Sequence, residues 1–466
     1  MMMATMTTAE MVAPKDRYAA AFGEFSAGLP AEPERLRRLR HEAIERFAEV
    51  GFPHVKMEEW RFTNVAPIAR TPFRLASPLA NGTARQAAAR HRYPGAVELV
   101  FVNGRFAPEL SEIAPLAGKC FAGSLAAALA AASGKGEPDL AHSPHLAHLA
   151  RFARFDEQAF VALNTAFHAD GAFIHVPRGV VLETPIHLLF VAAAENGPVM
   201  AYPRNLIVAD ESSQVRVVED YVTAGGEGRD GSDAVFTCPV TEIVAGENAV
   251  VDHYKLLREA VDSFHVATLQ IQQERATNLS SHSLSWGGGL VRNDVNAVLA
   301  GEGCDTILNG LYLVDGNQLV DNHMRVEHAA AHCNSHELYK GILEGRSRAV
   351  FNGLIHVHRG AQKTDAKQTN RNLLLSREAL CNSNPQLRIF ADDVRCTHGS
   401  TVGQLDPTAV FYLRSRGIGE EAARSLLTYA FAADIVERVK LEPVRKDLEE
   451  FLFRRLPRGE VVRQAV

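Results

Sequence analysis

The fold is decided by stretches such as Thr241-Glu242-Ile243-Val244-Ala245-Gly246-Glu247-Asn248-Ala249-Val250-Val251-Asp252-His253-Tyr254-Lys255-Leu256-Leu257. Two short β-rich runs, Thr241–Val244 and Ala249–Leu257, flank a tight corner at Gly246-Glu247-Asn248. No helical period runs through either piece, and Gly and Asn are the residues that tolerate sharp corners. The same grammar extends outward in both directions. Upstream, Phe173–Val176 precedes the turn Pro177-Arg178-Gly179, and Val180–Leu182 precedes Glu183-Thr184-Pro185. Ile186–Ala194, Leu206–Val208 and Gln214–Val222 follow. Downstream come His265–Gln272, Asn278–Trp286, Asn293–Ala300 and another corner at Gly301-Glu302-Gly303. Runs this short suit either a β-sandwich or a parallel β-helix. The pattern persists from about residue 156 to 404, which is long for one sandwich. Solenoid coils, stacked about 4.8 Å apart, absorb such length easily. The pattern favours the β-helix and leaves the sandwich open.

Both flanks read as helical. Residues 1–155 open a helix at Pro33-Glu34-Arg35-Leu36 that runs to Val50 and stops at Gly51-Phe52-Pro53. Ser124–Ala132 is Ala-rich and favours helix, and Ser133–Pro138 reads as a loop. Val97–Val102 is the strand-like exception, ending in the hairpin signal Asn103-Gly104. Residues 405–466 are punctuated clearly. Asp406 suits an N-cap, Pro407 the first helical position and Gly417 the C′ position. A second helix starts near Glu420-Glu421, with Leu427, Phe431 and Ile435 on one face. A third follows Pro443 and ends at Pro457.

Composition sets outer bounds. The 466 residues are 46% apolar and 22% charged, with net charge −6. That is ordinary for a globular chain and gives no reason to expect nucleic acid. No apolar run is long enough to cross a bilayer, and Met1-Met2-Met3 lacks the basic-then-apolar order of a secretory signal. A cytoplasmic location, with no membrane partner, is the expectation. None of the six cysteines pairs as C-x-x-C, so ferredoxin and zinc-ribbon frameworks are not supported. No P-loop, G-x-S-x-G elbow, H-E-x-x-H or G-x-G-x-x-G occurs, so the chain is not expected to hydrolyse ATP.

Two clusters could carry chemistry. The densest is His323, His328, His332 and His336, with Cys333 among them; the last three are spaced by four and on a helix would share one face as metal ligands. On a strand, a spacing of four puts side chains about 13 Å apart, too far to share an ion. His356 and His358 alternate on the strand-like run Leu354–His358 and read as surface residues. The second cluster is Ala391-Asp392-Asp393-Val394-Arg395-Cys396-Thr397-His398-Gly399. Cys396 and His398 share a strand face, and both types ligate iron. A packed thiol beside a hydrogen-bonded His is the plainer reading.

This last segment, continued by Ser400-Thr401-Val402-Gly403 and by Phe411-Tyr412-Leu413-Arg414-Ser415-Arg416-Gly417-Ile418, resembles the SufD family of iron–sulfur cluster assembly scaffolds. Glu58–Thr63, Leu163–Phe167, Pro203–Leu206, Tyr339–Ile342, Ala349–Gly353 and Lys363–Asp365 with Thr369–Leu374 are similar to it as well. The resemblance implies a mainly β fold, a right-handed parallel β-helix (156–404) between helical domains (1–155 and 405–466). It implies a non-catalytic subunit that pairs with a SufB-type scaffold and docks a SufC-type ABC ATPase through its C-terminal helices. Phe411, Tyr412, Arg414, Arg416, Leu427 and Phe431 are the partner-binding candidates. Removing 405–466 is expected to abolish ATPase docking and leave the scaffold pairing intact. A transient cluster would form at the boundary with SufB, with His398 as ligand and Cys396 as its neighbour. The isolated chain would hold no stable cluster, and a homodimer is allowed. Two alternatives stand beside it. One is a β-helix carbohydrate-active enzyme, hinted at by Asp365, Lys363 and Lys367; the other is a metal-binding module built on the His cluster.

Overall fold

The computed structural model describes residues 14–29, 32–76, 82–113, 116, 118–133, 144–194, 197–225 and 234–465. The loop expected at 134–138 and the chain start lie outside them. Two long sheets dominate. One runs through Ala172–Val176, Arg204–Ala209, Val240–Ala245, Phe264–Gln273, Leu290–Leu299, Leu319–His328, Arg348–Val357 and Leu380–Ile389. The other runs through Val97–Val102, Ile186–Ala192, Gln214–Thr223, Val250–Arg258, Asn278–Ser285, Asp305–Val314, Asn334–Leu343, Asp365–Leu374 and Arg395–Gly403. Neighbours within each row pair in parallel. The chain alternates between the two sheets, so it winds as a parallel β-helix. A sandwich of hairpins would instead pair sequence neighbours antiparallel.

The corners explain why the coils stack. Ser212, Asn248, Ala276, His332 and Lys363 each have φ between 56° and 61°, and Gly303 has φ 74°. Each donates its backbone N–H to the next coil, as in Asn248 to Arg275 O at 2.9 Å and His332 to Gln362 O at 2.9 Å. A left-handed corner thus satisfies its own amide by stacking. Inside, matched positions form apolar columns, such as Ile207, Ile243, Ile271, Ala297, Val326 and Ile355. Tyr339 fills the space left by Gly310, and Tyr312 the space left by Gly341. A Cβ on either glycine would lie 2.3 or 2.1 Å from the facing ring.

Helices pack against the sides of the coils. Pro14–Ala27 and Glu34–Val50 place Tyr18, Phe22 and Phe47 in a core with Phe160, Met200, Phe236 and Leu290. Asp406 caps Pro407–Ser415 by accepting the Thr408 amide, and Gly417 takes φ 87° just beyond it. Glu420–Val436, Glu442–Arg455 and a short helix Gly459–Ala465 lie against the outer face of the second sheet. The Asn103-Gly104 hairpin forms, with both residues at positive φ. Val97–Val102 also joins the β-helix, pairing in parallel with Ile186–Val191.

Candidate functional site

The last coil is open. Leu380–Ile389 and Arg395–Gly403 pair on one side only, and no described strand covers the other. Phe390 is 60% exposed and Val402 46%, so this edge is both unpaired and partly apolar. Register puts Cys396 beside Ala366, and His398 beside Gln368. Ala366 and Gln368 are both buried, so Cys396 and His398 point into the bore of the β-helix at its mouth. Behind His398 the column continues through Gln368 to Glu337, joined by a 3.1 Å bond from Gln368 Nε2 to Glu337 Oε2.

The two candidates differ in setting. Cys396 is half-buried against the cluster of Ile355, Val357, Ala361 and Ala391, and that burial pushes its thiol up. His398 is exposed. Asp393, close to it in the sequence, is turned to the corner, where Lys363 takes its carboxylate. Its backbone amide donates to Gln362 Oε1 at 2.9 Å. Glu337 is fully enclosed, and burial pushes its carboxyl up to about 8.

The His-rich stretch does not converge. His323 bonds Asp321 at 3.1 Å on the outer face of one sheet. His328 is buried and bonds Ser335 Oγ at 2.9 Å. His332 is a corner residue, and His336 lies exposed on the other sheet. A β-helix distributes such a run around its coil, whereas a helix would have gathered it on one face. The charges expected to line a groove are paired instead, as Lys367 with Asp365 at 3.3 Å.

The partner-binding candidates fall into two groups. Phe411 (70% exposed) and Tyr412 (54%) stand out from the Pro407–Ser415 helix. Arg416 lies over the Tyr412 ring and bonds its hydroxyl at 3.0 Å, and Arg414 meets Glu420 at 3.4 Å. Leu427 and Phe431 are half-buried, and Ile435 is fully enclosed. Lys340 bonds the Phe431 carbonyl at 2.9 Å, and its ammonium lies 4.8 Å from the Phe431 ring. Their helix shields Tyr254, Leu256, Trp286 and Leu311 of the sheet beneath. The helices over 407–465 are therefore packed onto the β-helix as one unit with it, so their removal would strip a core.

Sequence reading missed the charged interior. Glu219, His253, Lys255 and Asn293 line a small enclosed cavity of about 20 Å³. Burial pulls the Lys255 ammonium down to about 8. Lys255 lies between Tyr254 and Leu256 and so reads as a surface position, while Glu219, His253 and Asn293 each have a charged neighbour in the chain and give no local sign of facing inward. The coil period near thirty residues, visible as 337, 368 and 398, is the signal that would have placed them together.

Comparison with known proteins agrees with this geometry. The family described as SUF system FeS cluster assembly, SufBD core domain, matches residues 190–431. The SufBD protein N-terminal region matches residues 13–188. An iron–sulfur cluster assembly SufBD family protein of Synechocystis is 33% identical, covering 90% of this chain and 91% of its own. The iron–sulfur cluster assembly protein SufD of Escherichia coli is 30% identical, over 93% and 99%. SufD of Bacillus subtilis is 31% identical, over 65% and 68%.

Proposed function

Because the chain belongs to the SufBD family of iron–sulfur cluster assembly proteins, as a SufD-type member, we propose that it serves as a non-catalytic scaffold half. Its open coil meets the matching coil of a SufB-type subunit, and a nascent cluster, the cargo, is built across that seam. The observation that supports this reading is the uncapped end: unpaired N–H and C=O groups beside exposed Phe390 and Val402. Such an edge is an aggregation hazard unless another strand covers it. A second parallel coil would continue both sheets.

His398 then faces the seam from within the bore. Its imidazole supplies one neutral nitrogen donor for iron. One nitrogen donor with few thiolates holds a cluster loosely, which suits transfer better than storage. Cys396, whose thiol burial holds protonated until iron displaces the proton, is the secondary and weaker ligand. The C-terminal helices receive a SufC-type ATPase, and the exposed Phe411 and Tyr412, with Arg414 and Arg416 beside them, form the contact. Nucleotide hydrolysis belongs to that partner, and the proteins act together in the cytoplasm.

The test is His398→Ala in the co-expressed complex. An exposed side chain with little packing costs under about 0.5 kcal/mol. Folding and complex yield are expected to persist while cluster content falls at least tenfold, by iron and sulfide analysis. Unchanged cluster content removes the ligand role, and loss of the complex reassigns His398 to the interface.

A further inference from the structure

His356 and His358 read as surface histidines in sequence, but the coil brings a carboxylate to them. Glu327 lies one coil back, in register with His356 on the same outer face. The His358 Nε2 sits 2.6 Å from Glu327 Oε1. The two imidazoles stack with centroids 4.6 Å apart and planes 12° from parallel. One donor atom from each of the three residues falls within 4.8 Å of the others.

We propose that Glu327, His356 and His358 form a binding site for one divalent transition-metal ion, separate from the cluster seam at His398. Two imidazoles and a carboxylate are a donor set for zinc, iron(II) or cobalt(II); the oxygen-only preferences of calcium and magnesium do not fit it. Donors around such an ion stand roughly 3.3 Å apart. Binding therefore requires the side chains to close in from the stacked arrangement, in which the donors lie within 4.8 Å of one another. The surroundings favour binding. Phe390 packs 5.5 Å from the His356 ring and shields one side. Glu327 also lines an open cavity of about 400 Å³, which leaves room for water to complete the coordination. Two cations oppose: Arg325, 3.4 Å from Glu327, and Arg388, whose charge also reaches His356. An entering ion would displace Arg325 from the carboxylate, so moderate affinity is expected. The strand that carries His356 also sends Ile355 and Val357 inward, into the cluster that Cys396 packs against. The ion would therefore sit on the outer wall of the coils leading to the open end.

The probe is cobalt(II) added to the purified full chain, read by its visible d–d absorption and by zinc competition in calorimetry. His145, His175 and Asp210 form a second group of the same composition, so His175→Gln serves as the control. The expected result is that His356→Gln/His358→Gln weakens binding at least tenfold and Glu327→Gln weakens it several-fold. His175→Gln and His398→Ala should leave it unchanged. All are half-exposed or exposed positions, so far-UV circular dichroism and the melting temperature should match the parent. The single variant His356→Asn serves if the double variant misfolds. Absence of cobalt uptake, or uptake lost with His175→Gln and kept in His356→Gln/His358→Gln, overturns the proposal. Failure here would not touch the His398 reading, because the two sites share no residue.

Discussion

Replacing Arg258 with Met should loosen the C-terminal helices from the β-helix. Arg258 is 3% exposed and clamps three elements together. Its Nε donates to Asp220 Oδ1 at 3.0 Å and its Nη2 to Tyr93 Oη at 2.7 Å. Its Nη1 pairs with Asp447 on the Glu442–Arg455 helix, to which Tyr93 also donates at 3.0 Å. Breaking a buried pair costs about 3–5 kcal/mol, mostly because the remaining charge is stranded. Asp220 is fully enclosed, whereas Asp447 is part-exposed and adds under about 1 kcal/mol. His187, 3.6 Å from Asp220, takes up some of the orphaned charge. We therefore expect about 3 kcal/mol, roughly a 150-fold change in the folding equilibrium. The assay is urea unfolding followed by tryptophan fluorescence and far-UV circular dichroism. Trp286 stacks on Phe451 at 4.7 Å and reports helix docking. Arg258→Met/Asp220→Asn should recover more than half the loss, because it removes the stranded charge. The pH signature follows from Asp220. Burial alone would raise its carboxyl, but Arg258 and His187 outweigh burial and hold it below the usual range. Its contribution is present above the unfolded value near 3.9 and is lost as pH falls through the folded value. Arg258→Met should flatten that acid limb. A loss under about 1 kcal/mol, or a double variant no better than the single, refutes the clamp.

Two further outcomes are expected. Glu337, pushed up to about 8 by burial, keeps its proton where the unfolded chain has lost it near 4.3, so its contribution is present below about 4.3 and lost as pH rises through 8. Glu337→Gln should remove this slope and stabilise the chain at pH 7 by on the order of 2 kcal/mol; parallel urea midpoints for both proteins from pH 5 to 8.5 would mean the acid is hydrated. Phe411→Asp leaves no cavity, so its melting temperature should match the parent while retention of a SufC-type ATPase in a pull-down falls at least tenfold; undiminished retention places the docking surface elsewhere.

Local chemistry was legible without coordinates. Corner residues such as Gly246 and Asn248 and the β-rich runs between them announce repeated coils. Asp406, Pro407 and Gly417 announce a helix and its ends, because capping depends on residues only a few positions apart. Period two also put Cys396 and His398 on one face. What no local rule supplies is the vertical register, which joins residues about thirty positions apart. Register set Gln368 and Glu337 behind His398 and turned Asp393 away to Lys363. It also brought Glu327 to His356 and drew Val97–Val102 into a sheet with Ile186–Val191. The amphipathic stripe of Leu427, Phe431 and Ile435 likewise reveals a buried face without naming what buries it. Only the packed structure assigns that face to the sheet of Tyr254 and Trp286 and leaves Phe411 and Tyr412 outside. Secondary structure follows from neighbours in the chain, whereas a site assembled across coils follows from hydrogen-bond ladders that stack them.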